Sequence, residues 1–322
     1  MNILGGKRMA VAGDVIAVDQ ANGGRICVFN SMSDWSATGV VRWSWAPTES
    51  HGIPAEHRGW FSSPSEARWC EDYVLLAASG GGVAVIRYAD QKVVFHANAG
   101  GNPHAVELLP GGVLVSASST GSRVTLFFCH DTTVVPMTYP VMDAHGLVWD
   151  QRTGHLWVSG NRSDPTKAGG TVQLIKFSYD QSARSLTKLG EVDFPTWPNE
   201  LVHDKGYWES GHDLFAVPES NRVLLTTDRR VWDYDLRTGE KHPGAYDIPT
   251  VKSVSVNPET GQWMLVRPTR GWVSDTVWFG FPDSIRTFPG AEFYKARWFG
   301  EVCGWPHADY DATDTYTRTL PQ

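Results

Sequence analysis

Hydrophobic and polar residues alternate in short runs along the chain, and the runs recur in sets. The segments 113–118 (VLVSAS) and 171–179 (TVQLIKFSY) are rich in β-branched residues or alternate with period two. That pattern presents one face of a pleated strand to a core. No segment carries a 3.6-residue apolar stripe between helix caps, so the pattern predicts an all-β protein.

The sets repeat. A short apolar run, a turn, a second apolar run, a glycine-containing turn and one or two amphipathic runs begin at Glu66, His104, His145, His212 and Lys252. The spacing is roughly 40 residues, the period of a four-stranded propeller blade. One interval is longer and contains an insertion over 194–211. Turn signals stand where hairpins need them, at Pro110-Gly111-Gly112, Arg152-Thr153-Gly154 and Glu259-Thr260-Gly261. Both chain ends lie outside these five copies. The N-terminal part supplies strands over 14–20, 25–30 and 39–47 but no innermost strand, and 291–300 (AEFYKARWFG) reads as an innermost strand without a blade. Joining them predicts a six-bladed β-propeller closed by a C-terminal strand, which leaves no free sheet edge. The whole chain, 1–322, reads as a single domain with a tail from about 304 outside the blades.

Composition narrows the partners. With 28 Lys and Arg against 35 Asp and Glu the net charge is -7, the wrong sign for a protein that binds phosphate backbones by counterion release. Nucleic acid is therefore not an expected partner. A chain that is 41% hydrophobic and 20% charged can bury a core. No run is long and apolar enough to span a bilayer, and 1–12 does not read as a signal peptide, so no membrane role is expected. Such a chain suits the cytoplasm, or secretion after loss of a leader. Cys27, Cys70, Cys129 and Cys303 form no CxxC pair and read as buried thiols.

In a propeller the first strand of each blade lines the central channel. Aligning the repeat starts around the ring gives Lys295, Glu66, His104, His145, His212 and Lys252. Three adjacent imidazoles beside a carboxylate suit a divalent metal such as Mn, Zn, Ca or Ni, held by His104, His145 and His212, with Glu66 as a fourth ligand or an acid. Lys252 or Lys295 would hold an anionic group or act as a base. The competing reading is a polar, water-filled channel with no chemistry of its own. Loops at the same mouth carry Asp19 and Gln20, Arg58 and Trp60, His203 and Trp208, and Arg270 and Trp272. Aromatic faces interleaved with amides and charges suit carbohydrate, so Trp60, Trp208 and Trp272 are expected platforms, with Asp19, Gln20, Arg58 and Arg270 binding hydroxyls. His203, beside Asp204, is a further acid/base candidate.

The segments VDQANGGRICVFN, PSEAR, ASGGGVAVIR, GNPHAVELLPGGVLVSASSTG, HGLVWD, GHDLFAVP and VKSVSVNPETG resemble a group of bacterial six-bladed propellers. The architecture is more loosely similar to propeller polysaccharide lyases of the oligogalacturonate and ulvan types. Those place His, a basic residue and often a metal at the channel mouth; the closely spaced His and Gln motif of the oligogalacturonate type is missing here. The likeness implies a substrate class alone, an acidic oligosaccharide; the histidine trio and the two lysines lead to metal-assisted β-elimination of a uronate-containing oligosaccharide as the expected reaction. Metal-assisted glycoside hydrolysis and a non-catalytic glycan-binding or scaffold propeller are the alternatives.

Overall fold

The computed structural model of the protein describes residues 13–166, 170–195, 209–280 and 284–299. His203, Trp208, Cys303 and the expected C-terminal tail lie outside these residues. Six four-stranded antiparallel sheets make up the fold. Blades 2 to 6 each use consecutive strands. Their innermost strands are Pro64–Cys70, Pro103–Leu109, Gly146–Asp150, Gly211–Ala216 and Ser253–Val256. Blade 1 is composite: Phe293–Trp298 pairs with Asp14–Asp19, followed outward by Arg25–Asn30 and Val41–Trp45. The closing register sets Val15 opposite Trp298, Ile16 opposite Arg297 and Ala17 opposite Ala296. The expected six-bladed ring, closed by the C-terminal strand, is therefore the observed one.

Local chemistry accounts for the hairpins. In blade 3, Gly111 and Gly112 both take positive φ (77° and 68°) between Pro103–Leu109 and Val113–Ser118. Two consecutive left-handed residues suit a tight hairpin turn, and glycine has no Cβ to oppose them. Each blade buries both faces against its neighbours, so inner strands such as Val113–Ser118 are buried along their whole length. Cross-blade hydrogen bonds from the indoles of Trp43 to the Tyr88 carbonyl and Trp45 to the Gln91 carbonyl tie blade 1 to blade 2. Cys27, Cys70 and Cys129 are buried. The long connection from blade 1 to blade 2 contains two 3-10 segments, Glu49–His51 and Ala55–Phe61. No helix among the described residues is long and apolar enough to cross a membrane.

Candidate active site at the channel mouth

Register decides which side chains reach the channel mouth. On the innermost strands of blades 2, 3 and 5 the pairing skips one residue, between Pro64 and Glu66, Pro103 and Ala105, and Gly211 and Asp213. The skipped residues are Ser65, His104 and His212. The closing strand of blade 1 carries an equivalent irregularity, since Phe293 faces Asp19 and Ala296 faces Ala17. That places Tyr294 level with His104. The first tier around the axis therefore reads Tyr294, Ser65, His104, His145, His212 and Lys252. Glu66 and Lys295 stand one residue deeper, beside Asp213. A bulge adds a residue that no hydrophobic pattern reports, and one position of slip on a strand exchanges its two faces.

This corrects the expected roles of Glu66 and Lys295. Both are fully buried among charges of their own tier and the residues two positions on, which share their side of the strand. Lys295 Nζ donates to Glu66 Oε2 at 3.2 Å, to Asp213 Oδ1 at 3.3 Å and to the His104 carbonyl at 3.0 Å. Arg297 clamps Glu66 through Nε at 2.7 Å and Nη2 at 2.8 Å, and reaches Asp213 at 2.6 Å. Arg68 completes the set by donating to Glu107 at 2.9 Å across the blade 2–blade 3 boundary. Burial by itself would raise the Glu66 pKa; Arg297 and Lys295 outweigh it and bring it down to about 2. Three anions and three cations thus fill the axis below the first tier, and neither Glu66 nor Lys295 has a free valence for substrate.

Above them opens a cavity of about 960 Å³, at the upper end of the range of roughly 300–1,000 Å³ usual for small-molecule sites. Its wall carries His104, His145, His212, Lys252 and Tyr294, with the carboxyls of Asp143, Asp164 and Asp228. Hydroxyls from Ser119, Thr120, Ser122, Ser210 and Thr250 and the amide of Asn102 supply further polar groups. Trp272 stands at the rim, 62% exposed, with its indole N–H donating to Gln20 Oε1 at 3.3 Å. Arg270 also lines the cavity and pairs with Glu292. Gln20, Arg270 and Trp272 are thus where the sequence reading put them. Asp19 is not: its carboxylate is buried, accepts the amides of Ala21 and Glu292, and holds Arg25, which makes it a staple of the closing blade. Trp60 stacks on His57 with ring centroids 3.8 Å apart and packs on the blade 1–blade 2 core, and Arg58 donates to the Ile53 carbonyl. Both are absent from the cavity wall.

The three imidazoles do meet, but not as a metal triad. His104 and His145 stack nearly parallel, centroids 4.6 Å apart and planes 21° from each other, so they present faces where ligands would have to converge lone pairs. His145 donates Nδ1–H to the Asp143 carbonyl at 2.9 Å, which fixes its tautomer. His212 Nε2 lies 2.7 Å from Asp228 Oδ1 and 2.8 Å from Lys252 Nζ. Among the described residues no group of three or more His, Cys, Asp or Glu is arranged to hold a metal ion. A divalent ion on His104, His145 and His212 does not fit this geometry.

What the arrangement does hold is a buried amine beside a carboxylate-anchored imidazole. Burial lowers the Lys252 pKa, Asp228 restores part of the loss and Lys295 adds to it, leaving about 8. Burial likewise takes His212 down to about 4 against the opposing pull of Asp228. His104 lies well below its ordinary value, from burial first and the neighbouring His145 and Lys295 next. Burial would raise Asp228, but His212 and Lys252 outweigh it and hold it below the usual carboxylate range. One ring nitrogen cannot donate to Asp228 and also accept from an ammonium. With the proton on Nε2 facing ionised Asp228, Nδ1 is the ring acceptor left for an N–H of Lys252, 3.4 Å away.

Asp143, Ser210 and Asp228 are members of the site that the repeat starts do not identify. Ser210 bonds Asp143 through its hydroxyl and Asp228 through its amide. Burial lifts the Asp143 pKa, His145 and the Ser210 bond oppose it, and the net shift is upward. A signal for Asp228 is present in the chain: it opens the loop between the second and third strands of blade 5, the counterpart of the loops holding Gln20, Ser119 and Trp272. Asp143 sits two residues before His145.

Comparison with known proteins gives little beyond the fold. No curated protein matches the chain at a significant level. A chain in the "Crystal Structure of Mitotic Checkpoint Complex" superposes with a TM-score of 0.50 at 11% identity, over 79% of this chain and 68% of that one. This likeness concerns the fold alone. A profile of the family described as "Family of unknown function (DUF6528)" matches residues 27–308, a span that takes in blades 2 to 6, blade 1 apart from Asp14–Asp19 and the start of Arg25–Asn30, and the first-tier residues, and the chain belongs to that family.

Proposed function

We propose that the cavity is the site of a carbohydrate-active enzyme that cleaves a uronate-containing oligosaccharide by β-elimination, with Lys252 as the base. The observation that carries this reading is the buried Lys252 amine, 2.8 Å from an imidazole anchored on Asp228, in a hydroxyl-rich cavity with an exposed tryptophan at its rim. An amine with a pKa of about 8 is a competent base near neutral pH. It takes the proton on the carbon next to the uronate carboxylate. The electron pair left behind forms the ring double bond as the glycosidic C–O bond breaks. Asp143, whose raised pKa favours the acid form, supplies the proton for the leaving oxygen. Hydroxyl and amide donors on the wall bind the sugar and the carboxylate where negative charge grows. No step runs through a metal.

Glycoside hydrolysis is the second reading, and one observation favours it. Asp143 and Asp228 both contact Ser210, and their pKa values are pushed in opposite directions. Such a split marks an acid and a base in glycosidases. Incubation with a panel of uronate oligosaccharides separates the two. Elimination gives new reducing ends together with the ultraviolet absorbance of an unsaturated uronate; hydrolysis gives reducing ends alone. Glycan binding with neither product identifies a binding propeller and overturns both enzymatic readings.

A further inference from the structure

The charges beneath the first tier make the cavity blind. Glu66, Asp213, Lys295, Arg297, Arg68 and Glu107 occupy the axis, all buried and all bonded to one another or to backbone carbonyls and amides. None of them belongs to the cavity wall. The reactive groups sit at the inner end of an exposure gradient. Lys252 is 8% exposed and His212 4%, against 62% for Trp272 at the rim. The innermost strands surround this end on every side, so among the described residues a ligand has one way in.

We infer that the cavity takes the terminus of a saccharide chain and not its interior; this rests on the carbohydrate reading above. For a ring carbon to reach Lys252 Nζ, the sugar must descend past the rim, and a polymer held at mid-chain would need two exits where the described residues leave one. The terminal residue meets the tier of His104, His145, His212 and Lys252. The next residue lies level with Trp272, whose indole is oriented by Gln20 and presents a large apolar face to solvent. Met142, 44% exposed and also on the wall, supplies a second apolar contact. Units further out lie beyond the described wall.

The test uses uronate oligomers of rising length and the polymer. Titration of the Lys252→Met variant, which slows turnover, is expected to give one protein per chain at every length, with affinity levelling off after the first few units. Trp272→Ala should weaken binding about tenfold. In digests by the unaltered protein, one small product should accumulate from the start while the viscosity of the polymer hardly falls. Several proteins bound per long chain, or products of intermediate length appearing first, would overturn end recognition while leaving the carbohydrate reading intact. Absence of binding to every acidic and neutral oligomer in the panel would remove both.

Discussion

Lys252 is the residue on which the proposed chemistry turns, and its environment makes a prediction with a definite sign. Burial has lowered its pKa to about 8 from the ordinary 10.5, so the basic form grows as pH rises toward and past 8. The rate on a uronate substrate should climb about tenfold per pH unit well below that value and level off above it. Lys252→Met should reduce kcat by roughly 10²–10⁴ and remove this limb of the profile. Asp228→Asn keeps the shape but withdraws the charge that partly restores the ammonium form; the Lys252 limb is expected to move to lower pH, and a limb that stays in place would refute the coupling. Residue by residue, the sequence was legible where the repeat start fell on the bulge residue itself, as at His104 and His212, or immediately before an innermost strand without a bulge, as at His145 and Lys252. His104, His145, His212 and Lys252 line one mouth as their aligned positions imply, whereas Glu66 and Lys295 do not. In EARW the charged residue takes the place that His holds in HAVE, and only the extra residue in the pairing shows that Ser65 is the true counterpart of His104. Asp19, Trp60 and Arg58 looked like binding groups because composition reports polarity and aromaticity without saying which atoms are already engaged.

Among the elements, Phe293–Trp298 has the largest structural role. It supplies the inner edge of blade 1, contributes Tyr294 to the first tier, and places Lys295 and Arg297 in the charge cluster. Ending the chain before Phe293 should leave Asp14–Asp19 with an unpaired edge and unmatched carboxylates at Glu66 and Asp213. The expected result is loss of the cooperative unfolding transition and aggregation, read by circular dichroism and size-exclusion chromatography. A shortened chain that still unfolded in one step, with an unchanged midpoint, would count against the closure. The need for this strand was visible in the sequence as a mismatch between two incomplete ends: three strands without an inner partner, and one inner strand without a blade.

At the scale of the whole molecule, the cluster on the axis sets the response to acid. Glu66 has a folded pKa of about 2, below the ordinary 4.5. A depressed carboxylate contributes stability that is complete above its unfolded pKa and is lost as pH falls through the folded one. Stability to denaturant should therefore decline between about pH 4.5 and 2, and Glu66→Gln should flatten that decline. The same substitution at neutral pH leaves Lys295 and Arg297 short of a partner and is expected to cost about 3–5 kcal/mol in chemical unfolding. The fold class was readable from chain-wide periodicity because each blade repeats the same problem of burying two faces. The balanced charges were not, since they come from four blades far apart in sequence and align only once the ring is closed.

A vessel stoppered at its base imposes an order of events on whatever happens inside. Under the proposed end-on cleavage, whatever is released at the bottom must leave by the neck through which its parent arrived, so the shortened chain has to withdraw before the fragment can follow. Successive cuts on one polymer are then separate visits, and a fragment slow to depart obstructs the next arrival.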